Sequence, residues 1–154
     1  EIHDQPLAKY RGLLIDTGRA HLTVEFIKNI IEGISLLRMN ALHWHMTDDQ
    51  SFPIEILKYP ELHQEGASWL GNIHGRCKEP LGSFYTQDNL RELVEYARIR
   101  GIRLIPEMDV PAHSRSWGRG IPGLTISCPN WVTRRTRSGI KGEYVVNIPL
   151  DVTG

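Results

Sequence analysis

The stretch Asn40 to Pro53, NALHWHMTDDQSFP, constrains this chain most, because an apolar run turns within a few residues into titratable groups. Ala41, Leu42, Trp44 and Met46 suit a strand buried in a parallel sheet. His43, His45, Asp48 and Asp49 then place two imidazoles and two carboxylates within seven residues. In barrels and doubly wound sheets of alternating strands and helices, ligands bind at the carboxyl ends of the strands. Asp48 and Asp49 stand at such an end, so a scaffold element here runs directly into candidate chemistry.

The neighbouring segments repeat the arrangement. Gly12 to Ile15 is a short apolar run ending at Asp16, and Thr17-Gly18-Arg19 breaks it. Thr23 is placed to cap a helix in which Val24, Ile27, Ile30, Ile31, Ile34 and Leu37 recur at helical spacing. Gly33 inside that helix costs roughly 1 kcal/mol against alanine, which suggests close packing on a neighbour. From Ser51 to Tyr85 the chain is rich in Gly, Pro, Ser and His without periodicity and reads as one long loop, a length that usually carries function. Thr86 caps a second helix with Leu90, Leu93, Val94 and Ala97 facing inward, and Gly101 supplies its left-handed stop. Ile102 to Ile105 forms a third strand, followed at once by Glu107, Asp109 and His113. A second group of carboxylates and an imidazole therefore lies at the end of a second parallel strand, and the two groups should meet in space. Tyr144 to Ile148 is a candidate fourth strand.

This order gives an α/β architecture with right-handed crossovers. Three confident strands would leave bare edges and a half-covered core, and an eight-fold barrel needs about 250 residues. The 154 residues are therefore expected to be part of a longer chain. Composition points to no particular class of partner. Lys plus Arg equals Asp plus Glu at 18 each, so no net charge draws the chain to nucleic acid or an anionic membrane. No apolar run approaches the ~20 residues of a membrane span, and no signal peptide is visible at EIHDQPLAKY. Cys77 and Cys128 leave pairing, free thiols and bridges to other segments all open.

Three segments in order, RGLLIDTGR at Arg11 to Arg19, LHWHMTDDQSFP at Leu42 to Pro53 and YTQDNLRELVEYARIRGIRLIPEMDVPAHSRSW at Tyr85 to Trp117, closely resemble the catalytic domain of glycoside hydrolase family 20, the β-N-acetylhexosaminidases. The resemblance runs from about Tyr10 to Cys128. It implies a TIM (β/α)8 barrel of which residues 1–154 hold the N-terminal portion, with the first three or four strands. It also implies exo-acting release of terminal N-acetylglucosamine or N-acetylgalactosamine from a glycan, glycolipid or chitin oligomer, with no metal or organic cofactor. A lysosomal or secreted setting and a homo- or heterodimer of the full-length parent come with it.

In that family the substrate's own 2-acetamido oxygen attacks the anomeric carbon. An Asp orients the acetamido group, and a Glu protonates the leaving oxygen and then activates water. That pair lies in a motif ending Gly-Asp-Glu, and nothing from Cys128 to Gly154 matches it. By motif match, Arg11 resembles the arginine that grips the hydroxyls of the terminal sugar. Asp48 and His113 resemble the carboxylate and imidazole standing behind the catalytic Glu. The plainer alternatives are a surface arginine, a turn cap and a loop histidine. Asp49, Glu107 and Asp109 are weaker candidates that would line the pocket or brace loops, and His43 and His45 are expected as buried, hydrogen-bonded imidazoles. The tryptophans read as core or loop packing, and Arg134, Arg135 and Arg137 as a solvated loop. Two other readings compete: a truncated relative that binds sugar or serves as an interaction segment, and a metal-dependent amidohydrolase barrel begun by His43-x-His45.

Overall fold

Alternation along a strand sends successive side chains to opposite faces, and here the two faces differ sharply in chemistry. A computed structural model describes residues 1–67, 83–126 and 148–153. In chain order the elements are β1 (Gly12–Asp16), α1 (Val24–Leu36), β2 (Ala41–Thr47), α2 (Glu61–Gly66), α3 (Gln87–Arg98), β3 (Arg103–Met108) and α4 (Arg115–Gly120). The strands form one parallel sheet in the order β1-β2-β3, so each crossover helix connects adjacent strands. One face carries Ile15, Leu42, Trp44 and Met46, all buried in a core shared with Ile27, Ile31 and Ile34 of α1 and Leu93 and Ala97 of α3. Burying each large side chain contributes about 1.5–3 kcal/mol. The other face carries Asp16, His43, His45 and Glu107.

Both long helices start where their hydroxyl caps predict. The Thr23 side chain accepts a hydrogen bond from the Phe26 amide. At α3, Thr86 and Asn89 satisfy each other's backbone amides reciprocally, removing unpaired donors worth about 1 kcal/mol per cap. Gly101 stops α3 with φ +70°, the left-handed conformation that glycine adopts without strain. After α1 the equivalent reversal falls on Arg38 at φ 56°.

Several expectations need correcting. A Cβ at Gly33 would meet nothing within 4 Å, so this glycine makes no close approach to a neighbour. Val94 is 51% exposed and lies off the buried stripe of Leu93 and Ala97. The region from Ser51 to Tyr85 is not wholly loop, since it contains α2, and α4 follows His113. Each is six residues long, too short to show a helical repeat. β3 runs on to Met108, which puts Glu107 inside the strand. The two short helices pack against each other at their glycines: a Cβ on Gly120 would lie 2.6 Å from the Glu61 carbonyl oxygen, and one on Gly66 would lie 2.7 Å from that of Ser116. The candidate strand at 144–148 falls outside the described residues except for Ile148, which is buried. Cys77, Cys128, Trp69, Trp131, Arg134, Arg135 and Arg137 also lie outside them. Of the remaining tryptophans, Trp44 is fully buried and Trp117 meets Phe52 edge to face. Among the described residues, no helix is long and apolar enough to cross a membrane.

Candidate active site

The strand register assembles the polar face. Asp16 of β1 stands beside His45 of β2, and His45 beside Glu107 of β3, giving one row of three titratable groups across the sheet. A register irregularity between His45 and Thr47 then turns β2 at its end. Asp48 and Asp49 follow, 0% and 1% exposed. Carboxylates are almost never buried so completely unless paired, and both are well supplied.

Asp48 is the hub. Its Oδ2 lies 2.7 Å from the Arg19 guanidinium and 3.0 Å from His45 Nε2, and its Oδ1 lies 3.3 Å from His113 Nδ1. Oδ1 also accepts the Asp49 amide at 2.7 Å, and the main-chain carbonyl accepts from Ser116 Oγ at 2.7 Å. Asp49 is turned to the scaffold. Its Oδ1 accepts the amides of Arg115 and Ile148 at 3.0 and 3.2 Å, while Oδ2 approaches His113 Nδ1 at 3.6 Å. Both amides belong to segments beyond β3. His113 has φ 53°, a left-handed conformation that few non-glycine residues hold.

Arg19 is the residue that sequence reasoning missed. It follows β1, and its side chain is 48% exposed at the mouth of the site while its guanidinium bridges Asp16 at 2.6 Å and Asp48. Burial works against its charge, but the hydrogen bond to Asp16 and the negative fields of Asp48, Asp16 and Asp109 outweigh it, and its pKa is raised. Arg11 sits at the opposite end of the same strand. Its guanidinium donates to the carbonyls of Arg38, Ala8 and Lys9, and Asn40 accepts its backbone amide. There it locks the approach to β1, away from Asp48 and His113. The discriminating signal was present in the sequence, since a ligand at the carboxyl ends of the strands can be reached from the residue after β1 and not from the one before it.

His43 and His45 both pair with acids; His45 is buried as expected, whereas the His43 side chain is 34% exposed and only half-buried. His43 Nε2 pairs with Glu107 Oε2, and His45 Nδ1 lies 3.4 Å from the same oxygen. Burial pulls the His45 imidazole down, yet the hydrogen bonds it donates to Asp48 and Glu107 and the charges of Asp16 and Glu107 prevail, and its pKa is raised. Glu107 is thus a clamp on two histidines. Asp109 completes the constellation: ligand atoms of His45, Asp48 and Asp109, and separately of Asp48, Asp49 and His113, lie within 4.8 Å of one another. Either trio has donors suited to a divalent ion. The Arg19 guanidinium, however, already occupies the cationic position against Asp48 Oδ2, and His45 faces acids from both ring nitrogens, so a metal in the first trio would have to displace both.

The likeness to known proteins covers almost the whole chain. The family model described as glycosyl hydrolase family 20, catalytic domain, matches residues 9–151. Beta-hexosaminidase 3 of Arabidopsis thaliana is 46% identical over 123 residues, covering 80% of this chain and 21% of the plant protein. The human beta-hexosaminidase subunit beta is 40% identical over 127 residues, covering 82% of this chain and 21% of its own length. Among solved structures, the family 20 exo-β-N-acetylglucosaminidase of Vibrio harveyi in complex with N-acetylglucosamine superposes with a TM-score of 0.74 at 30% identity, covering 95% of this chain and 23% of that one. The chain therefore spans about a fifth of the length of the curated relatives it matches. Its three parallel strands are those of a TIM-barrel catalytic domain, and the chain belongs to glycosyl hydrolase family 20.

Proposed function

We propose that this chain supplies the first strands and the supporting side of the active site of an exo-acting β-N-acetylhexosaminidase, which releases terminal N-acetylglucosamine or N-acetylgalactosamine by substrate-assisted catalysis. The observation that carries the reading is the fully buried Asp48, gripped by Arg19 on one side and His113 on the other at the carboxyl ends of the strands. An anion so placed serves a proton-transferring acid. Asp48 holds the His113 ring, and the pair would stand behind a Glu that must first give and then take a proton, keeping its pKa in the range both tasks need. Arg19, half exposed and planar, presents donors in the fork that suits paired sugar hydroxyls. It takes the role that motif matching had given to Arg11. Asp49 acts as the brace, and Asp109 adds negative field near Arg19.

The acid itself is not among these residues, since no Gly-Asp-Glu occurs in the 154-residue sequence. In this reading residues 1–154 are the N-terminal portion of the barrel, and later strands bring the Asp-Glu pair and the sugar-walling aromatics. The relatives named beta-hexosaminidase, and the Vibrio harveyi enzyme holding N-acetylglucosamine, support the substrate class. A lysosomal or secreted setting and a dimeric parent belong to the same reading.

The test is release of nitrophenol from a nitrophenyl N-acetyl-β-glucosaminide by the full-length protein and by its Asp48→Asn variant. Turnover by the parent, with kcat reduced about 10²-fold or more in the variant, is expected, because general acid–base support is worth 10²–10⁴-fold. Equal rates in the two would refute the assignment of Asp48. The isolated 154 residues should release none, and release above background would show that the acid lies within them.

A further inference from the structure

The reading above leaves His43, His45 and Glu107 without a task, although they form a continuous array on the inner face of the sheet. His45 is 8% exposed and has a carboxylate at each ring nitrogen: Asp48 at Nε2 and Glu107 at Nδ1, 3.0 and 3.4 Å away. A neutral imidazole carries one N–H and one lone pair, and a lone pair aimed at either carboxylate would be repelled. Only the imidazolium donates at both ends. Glu107 in turn is clamped by His43 on its far side through the same oxygen, so it cannot swing away from His45 without losing that partner.

We infer that Glu107 is a positioning residue for the active site: it fixes His45 as an imidazolium whose Nε2–H holds Asp48 in place between Arg19 and His113. This rests on the proposed hexosaminidase reading for its consequence in catalysis, but the geometry stands independently of it. Among the described residues, the charged groups facing His45 come from three elements. Asp16 from β1, Asp48 beyond β2, and Glu107 and Asp109 from β3 and its exit are the acids. Arg19 is the competing cation, and it is directed at Asp16 and Asp48. His43 lies on the same strand, two residues away. The raised pKa of His45 agrees with this arrangement. Asp48 thus meets two fixed cations through Oδ2, and His113 approaches it through Oδ1.

Three measurements on the full-length protein decide it. In the wild type near pH 7, both ring nitrogens of His45 should show the 15N shifts of protonated nitrogen; one unprotonated nitrogen would overturn the inference without any variant. In Glu107→Gln, which keeps the shape and removes the charge, the His45 titration midpoint should move down, and Glu107→Asp should bring it back toward the parent's. An unmoved midpoint would also overturn the proposal. In nitrophenyl glycoside turnover, Glu107→Gln should lower kcat about tenfold with KM little changed, and the alkaline limb of the kcat profile should move to lower pH. If the wild type releases no nitrophenol while the His45 midpoint still follows Glu107, the enzymatic reading fails and the positioning role survives. If turnover and its pH profile in Glu107→Gln match the parent's, the role in catalysis is refuted.

Discussion

Gly18 lies where the ends of β1 and β2 touch, and adding a single methyl group there tests whether the site depends on that contact. A Cβ at Gly18 would sit 2.7 Å from the Asp48 amide nitrogen, 2.8 Å from the Thr47 carbonyl carbon and 2.9 Å from the Asp48 Cβ, where ordinary contact begins at 3.4 Å. Two of those neighbours are backbone, so no side-chain rotation relieves the overlap. The strand ends must separate by about 0.5–0.7 Å. Overpacking of this kind costs about 1–3 kcal/mol. The displacement also falls between Arg19 and Asp48, now 2.7 Å apart, and misplacements near 1 Å can cost about 10²-fold in rate. Gly18→Ala in the full-length protein should therefore lower the unfolding midpoint by several degrees and reduce kcat/KM for the nitrophenyl glycoside about 10- to 100-fold. A variant with unchanged midpoint and unchanged turnover would show that the β1 and β2 ends are not packed as described.

Gly33→Ala should raise stability by about 0.5–1 kcal/mol in denaturant titrations, since the new methyl meets nothing and glycine is costly inside a helix; a loss would mean that an unseen surface packs there. Arg19→Ala should raise KM for the glycoside at least tenfold, whereas Arg11→Ala should lower the melting temperature with KM nearly unchanged, and the reverse pattern would restore the motif-based choice. His45 binds its proton more tightly in the folded state, so the stabilisation it contributes is full below the unfolded value of about 6.5 and fades as pH rises through the raised folded value. Melting curves from pH 5.5 to 9 should show that loss in the wild type and a flatter profile in His45→Gln; parallel profiles would place the proton elsewhere.

The sequence made the scaffold legible where a regular period or a cap was present. Thr23 and Thr86 announce α1 and α3, Gly101 ends α3, and the apolar runs locate all three strands to within a few residues. It was silent where elements are shorter than their own period. α2 and α4 offer six residues each, and their packing rests on the absence of side chains at Gly66 and Gly120. The apolar run of the third strand stops at Ile105, yet β3 continues to Met108 with Pro106 in register with Trp44. For the site, Asp48 and His113 were found by motif and do meet, while Arg11 and Arg19 are the two ends of one motif separated by a five-residue strand. Choosing between them needed the direction of the chain, because the residue after β1, and not the one before it, stands at the carboxyl end of the strand.

Asp49 joins partners 66 and 99 positions further along the chain through a single carboxylate oxygen. Closing loops of that length must be preceded by enough local structure to offset the lost chain entropy. The β1–β2 pair closes over 29 positions and the β2–β3 pair over 62, whereas the Asp49–Ile148 bond closes over 99. The protein should therefore pass through states in which the sheet exists and the Asp49 brace does not, so that agents acting on such states would disorder the surroundings of Asp48 before they remove secondary structure.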